Sequence, residues 1–191
     1  MARKKRYRTK LKSGVLLLAE PFMLDPNFRR TVVYLVDYKP DEGAFGTILN
    51  RPLEITVGDA VEEFRGVSSS LYFGGPVQQE SLYFLHRIGD SLKSGFPIFE
   101  DIYWGGDFEQ LKERLLVEDI DESHLRFFIG YAGWAPQQLE QELEQNAWIV
   151  TNALPEDIFH TEGRDLWRKI MEELGGLYRV FARAPDHPMV N

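Results

Sequence analysis

The chain predicts an α+β fold, one domain in which a mixed β-sheet is flanked by about four helices. Three observations predict it. Three β-like runs follow one another near the N-terminus. Later runs with a helical stripe are interspersed among about eight strands without the strict strand-helix alternation of a doubly wound fold. The 191 residues, 43% hydrophobic, suit a single core. The expected layout is a disordered basic arm over residues 1–12, the domain over 13–180, and a tail over 181–191.

Residues 14–20 form an apolar run too short for a core helix and stopped by Pro21, which reads as a buried strand. After the Asp25-Pro26-Asn27 turn, residues 31–37 are dense in β-branched and aromatic side chains and form a second strand. A polar loop over 39–43 has hairpin length and leads to the third, 44–49, followed by Asn50-Arg51-Pro52. Thr56 and Asp59 have the spacing of a helix N-cap, with Val57, Val61 and Phe64 as the buried stripe of a short helix ending near Gly66. Strands at 70–73 and 81–86 flank the Gly74-Gly75-Pro76 corner, whose backbone amides form either an anion-binding nest or an ordinary turn.

Residues 96–104 read as extended, interrupted by Pro97. Asp107 and Gln110 have capping-box spacing ahead of Phe108, Leu111 and Leu115, a second helix. A strand over 125–129 then enters Gly130-Tyr131-Ala132-Gly133-Trp134, read as a tight turn. A helix over 136–146 follows, with Pro136 in its first turn, Leu139 and Leu143 on the buried face and Gln138 and Glu142 on another. Its start beside Trp134 is either an anion site or a plain strand-to-helix corner. Residues 147–151 return as a strand, and 152–163 are an acidic connection. Leu166, Trp167, Ile170, Met171 and Leu174 make the last helical stripe, ended by Gly175-Gly176. Trp148 and Trp167, each among apolar neighbours, are predicted to be interior.

Composition excludes several functions. With no cysteine there is no disulfide, thiolate nucleophile or cysteine-based metal site. No apolar run reaches the roughly 18 residues of a spanning helix, and no secretory leader pattern opens the chain, so a cytoplasmic protein without membrane contact is expected. Phosphate-loop, nucleophile-elbow, dinucleotide-fingerprint and zincin motifs are absent. His86, His124, His160 and His187 are widely scattered, so neither a metal site nor a cofactor is predicted. The net charge of −8 conceals an asymmetry: the seven cations of residues 3–12 leave 15 of the 22 Lys and Arg against all 30 acids, a body charge of −15. Such a body repels a phosphate backbone. Nucleic-acid binding is therefore predicted to be at most weak, sequence-independent and confined to residues 3–12, and deleting 1–12 is expected to leave the melting temperature nearly unchanged.

Five groups of residues carry a family resemblance: Gly14, Leu16, Leu17, Ala19 and Pro21; Gly43-Ala44, Gly46 and Ile48-Leu49-Asn50-Arg51-Pro52; Gly74-Gly75-Pro76-Val77; Leu85-His86; and Gly130-Tyr131-Ala132-Gly133-Trp134 through Gln138-Leu139-Glu140 and Glu142. In this order they resemble the AlgH/YqgE family across residues 13–175. The resemblance implies a compact bacterial cytoplasmic domain with a strongly bent, barrel-like sheet. Members often carry a transcriptional-regulator label. Ala135 and Gln137 stand where the family usually has glycine.

The polar, flexible or amphipathic motif residues Asn50, Arg51, Gly74, Gly75, Trp134, Gln138 and Glu142 are the predicted ligand-binding set of a non-enzymatic regulatory or binding protein, with a small molecule or another protein as partner. The competing structural expectation is that Asn50 caps backbone and Arg51 pairs with an acid such as Glu142. The enzymatic alternative uses Glu142 or His86 as general base, with Arg51 holding an anionic substrate.

Overall fold

The computed structural model describes residues 6–89, 92–117, 120, 124–159 and 163–184. Among them ten strands form one open sheet. Its order is β10 (Trp148–Asn152), β1 (Val15–Ala19), β2 (Val32–Lys39), β3 (Gly43–Ile48), β9 (Leu125–Trp134), β6 (Val77–His86), β8 (Ile102–Trp104) and β7 (Phe96–Phe99). To one side, β4 (Pro52–Thr56) pairs with β5 (Ser70–Phe73), which joins β9 as the parallel pair of an otherwise antiparallel sheet. The sheet is mixed, as predicted, but it bends without closing into a barrel.

Period-2 alternation divides the first strands between two cores. Leu16 and Leu18 of β1, with Val32 and Tyr34 of β2, face Trp167, Ile170 and Met171 of α5 (Leu166–Leu174). Val15, Leu17, Val33 and Leu35 face the other way, toward Leu139 of α3 (Gln138–Glu144), Trp134 and Trp148. Burial on both faces explains why the β1 sequence is continuously apolar rather than alternating. A third core packs α2 (Phe108–Val117) and α1 (Val57–Ala60) over Phe84 and Phe127. Trp148 and Trp167 are interior, 4% and 1% exposed.

Several expectations are corrected. There are six helices among the described residues rather than about four: α4 (Pro155–Phe159) lies in the acidic connection, and α6 (Gly176–Phe181) follows the Gly175-Gly176 stop. The predicted turn at 130–134 is the second half of β9. Gly130 has φ 68°, and a Cβ there would lie 2.4 Å from the Gly75 carbonyl oxygen, so it serves close strand approach rather than chain reversal. Consequently α3 begins at Gln138, two residues after Pro136, and its N-cap residue Gln137 is left-handed at φ 63°. The Thr56–Asp59 capping box is closed. Asp107 caps α2 through the amides of Glu109 and Gln110, but the Gln110 side chain accepts from the Lys93 amide instead of completing a box.

Residues 6–12, expected to be part of a free arm, run against β10. Arg8 bridges Thr151, the Tyr7 amide donates to Asn152, and Arg6 is buried at 6% exposure between Asp157 and Glu173. An exposed edge strand and a buried carboxylate at Asp157 supply the partners that a charge count cannot reveal. The predicted arm residues 1–5 and tail residues 185–191 lie outside the described residues.

Candidate functional site: an arginine-lined pocket

A cavity of about 600 Å3 opens where three distant segments converge. The loop before β2 contributes Arg29 and Arg30, the β3–β4 turn contributes Asn50 and Arg51, and the start of α5 with its preceding 3-10 turn contributes Arg164 and Arg168. Five arginines and a single carboxylate, Asp165, line it over an apolar floor that includes Leu53 and Phe73. On a molecule of net charge −8, this is a local concentration of positive charge.

Backbone carbonyls rather than acids hold Arg51: its Nη2 donates to Pro26 at 3.2 Å and to Arg29 at 3.0 Å. Burial first, and then the positive charges of Arg29 and Arg164, push its guanidinium below its ordinary value. The Arg30 guanidinium lies 5.0 Å from the Trp167 ring centroid, and its Nη2 donates to the Ala184 carbonyl at 2.5 Å. Arg168 reaches Asp165 at 3.7 Å and Arg164 reaches Glu54 at 3.9 Å. These outer pairs are solvent-exposed and weak. Planar guanidiniums from three segments suit phosphate or carboxylate oxygens.

The predicted set is divided. Asn50 and Arg51 line the pocket. Asn50 also stitches the loop to the sheet, its Oδ1 accepting from the Val32 amide and its Nδ2 donating to the Arg30 carbonyl, both at 2.8 Å. Trp134, Gln138 and Glu142 form a separate cluster. Glu142 Oε2 accepts both indole N–H groups, Trp134 at 2.9 Å and Trp148 at 2.7 Å, and its Oε1 accepts from Gln138 Nε2 at 2.9 Å. The expected Arg51–Glu142 pair therefore does not form, because each is committed elsewhere.

Gly74 and Gly75 abut β9. Cβ atoms there would lie 2.3 Å from the Gly130 carbonyl oxygen and 2.2 Å from the Tyr131 carbonyl carbon. The Gly74 amide already donates to Ile129, so it is not offered to a ligand. His86 is fully buried, stacked on Tyr103, with Nε2 3.0 Å from the Gly105 carbonyl and Nδ1 accepting from the Ile88 amide. Burial, above all, holds its imidazole below the ordinary value, the Gly105 carbonyl opposing and Arg114 adding to the shift. Neither His86 nor Glu142 lines the arginine pocket.

Arg29, Arg30, Arg164 and Arg168 escaped sequence reasoning. No motif marks them in the sequence, and their convergence is wholly tertiary. Among the described residues no group of three or more His, Asp or Glu is arranged to hold a metal ion. No described helix is long and apolar enough to cross a membrane.

A family model described as AlgH-like matches residues 16–179. A UPF0301 protein of Chlorobium limicola is 39% identical over 182 residues, covering 95% of this chain and 97% of its own. A UPF0301 protein of Bacteroides thetaiotaomicron is 36% identical over 179 residues, covering 93% and 90%. The solution structure of the AlgH protein of Pseudomonas aeruginosa superposes with a TM-score of 0.71 at 28% identity, over 94% of this chain and 98% of that one. A crystal structure from Corynebacterium diphtheriae, 24% identical, reaches 0.76 over 93% and 95%, a likeness of fold.

Proposed function

The chain belongs to the AlgH-like family, and from that premise we propose that it is a non-enzymatic, ligand-binding regulatory protein whose arginine pocket takes a small phosphorylated molecule. One observation carries this reading: five arginines from three segments surround a cavity of about 600 Å3, a volume suited to a nucleotide-sized ligand. Burial chiefly lowers the Arg51 guanidinium, and the neighbouring Arg29 and Arg164 add to it; a polyanion relieves that like-charge cost on binding. Absence of enzymatic chemistry is supported by the position of the two predicted bases. His86 is sealed under the Gly105 carbonyl and Glu142 is occupied by two indoles.

The test is thermal shift and calorimetry with inorganic pyrophosphate and a nucleoside triphosphate as probes. At 100 times its Kd, either stabilises the fold by about 2.7 kcal/mol. Arg51→Ala and Arg168→Ala should weaken binding, and added salt should do likewise. Lack of stabilisation by any phosphorylated compound across a metabolite panel would sink the reading.

A further inference from the structure

A second cavity, of about 570 Å3, shares no lining residue with the arginine pocket; buried Trp134, from the predicted ligand-binding set, is among the residues lining it, and four further aromatic side chains ring it. Each comes from a different strand: Phe45 from β3, Tyr131 from β9, Tyr83 from β6 and Trp104 from β8. Rings on neighbouring strands touch, with centroid separations of 5.9 Å for Phe45–Tyr131, 5.7 Å for Tyr131–Tyr83 and 5.2 Å for Tyr83–Trp104. The circuit then closes, because Phe45 and Trp104 meet at 5.9 Å although β9 and β6 lie between their strands. On a flat sheet the first and fourth strands would stand about 14 Å apart. The closure therefore shows that the sheet curls here into a cup. All four rings remain partly exposed.

The rim is acidic on balance. Asp37, Glu42 and Lys39 line it, and Lys39 is committed to Glu42 at 2.8 Å. Asp37 is oriented by the Tyr38 amide at 2.9 Å and the Ser13 hydroxyl at 3.4 Å.

We propose that this aromatic cup, independent of the arginine pocket, binds an organic cation of the methylated-ammonium class. Trp104 stacks on both Tyr83 and Phe128, so the rings offered to a cation are those of Phe45, Tyr131 and Tyr83, whose electron-rich faces attract a charge that is spread over methyl groups and cheap to desolvate. A bare ammonium holds its water strongly and finds few acceptors among these rings. A flat neutral heterocycle needs two parallel rings held apart as a slot. Here the near-parallel pair, Tyr83 and Trp104 at 17°, is in mutual contact, and the other three pairs stand at 64° to 87° as walls. Walls of that kind fit a rounded headgroup.

The full chain is titrated by tryptophan fluorescence and calorimetry with choline, tetramethylammonium, indole and the neutral choline isostere 3,3-dimethyl-1-butanol. Choline is expected to saturate, and to bind about tenfold tighter than the isostere. Tyr131→Leu should lose about tenfold in choline affinity while Tyr131→Phe, which keeps the ring, retains it; circular dichroism establishes that both fold. Arg51→Ala should leave choline affinity unchanged, so this site and the anion site fail separately. Equal or tighter binding of the isostere or of indole, or no saturation by either cation, overturns the proposal.

Discussion

Glu142 illustrates how one carboxylate can be mistaken for chemistry. Its oxygens take two indole N–H donors and one amide donor, tying β9 and β10 to α3. Truncation leaves those donors partly buried and unpaired. Glu142→Ala should therefore destabilise by about 1–3 kcal/mol, whereas Glu142→Gln, which keeps an acceptor, should cost less; urea unfolding followed by tryptophan fluorescence distinguishes them. His86 supplies a pH signature. Its native imidazole titrates below the ordinary 6.5, so under mildly acid conditions the unfolded chain binds a proton that the native state refuses. Stability should fall as pH drops through about 6.5 and have no His86 contribution above it. His86→Gln should flatten that slope in a comparison of urea midpoints between pH 5 and 8, and an unchanged slope would show that another group is responsible.

Among the elements, α3 shows where this chain departs from what its family resemblance implies. The resemblance implies glycine at 137, and here Gln137 adopts φ 63°, a conformation that costs a side-chain-bearing residue about 1 kcal/mol. Gln137→Gly should be neutral or stabilising by up to that amount, against the loss expected for glycine near a helix; a fall in melting temperature of several degrees would contradict the strain argument. Ala135, at the other such position, has no positive φ and nothing to relieve. The corner at Gly74-Gly75 is the opposite case. There the absent Cβ is required by the β9 backbone, which is why residues that looked like an anion nest are packing residues.

For the molecule as a whole, residues 6–12 belong with the body more than charge alone suggested. Arg6 is buried on Asp157, which is itself fully buried and accepts from the Leu154 amide. Deleting residues 1–12 removes the buried cation that pairs with Asp157, and should lower stability by about 3–5 kcal/mol instead of leaving it unchanged. Any duplex DNA binding remains proposed to be weak and salt-sensitive, with Arg6 withdrawn from it. A truncated chain that melts with the full-length protein would show that the Arg6 latch contributes little.

Much of this architecture was legible locally. Strands β1, β2, β3, β5 and β10, the extended stretch that holds β7 and β8, the C-terminal part of β6, the first half of β9, helices α1, α2, α3 and α5 and the burial of Trp148 and Trp167 follow from short-range patterns, because apolar period and turn chemistry act over a few residues. Family membership was legible too, since ordered motifs survive in the chain itself. Tertiary structure decided the rest. Whether Gly130 turns the chain or admits a neighbouring strand depends on Gly75 and Val77, far away in sequence. Arg51 could be placed, but four further arginines reach its pocket from residues 29–30 and 164–168, and electrostatic sites sum charges by distance in space. Four aromatics spread over 87 residues become one cup for the same kind of reason: sheet curvature, a property of ten strands together, is written in no single one of them.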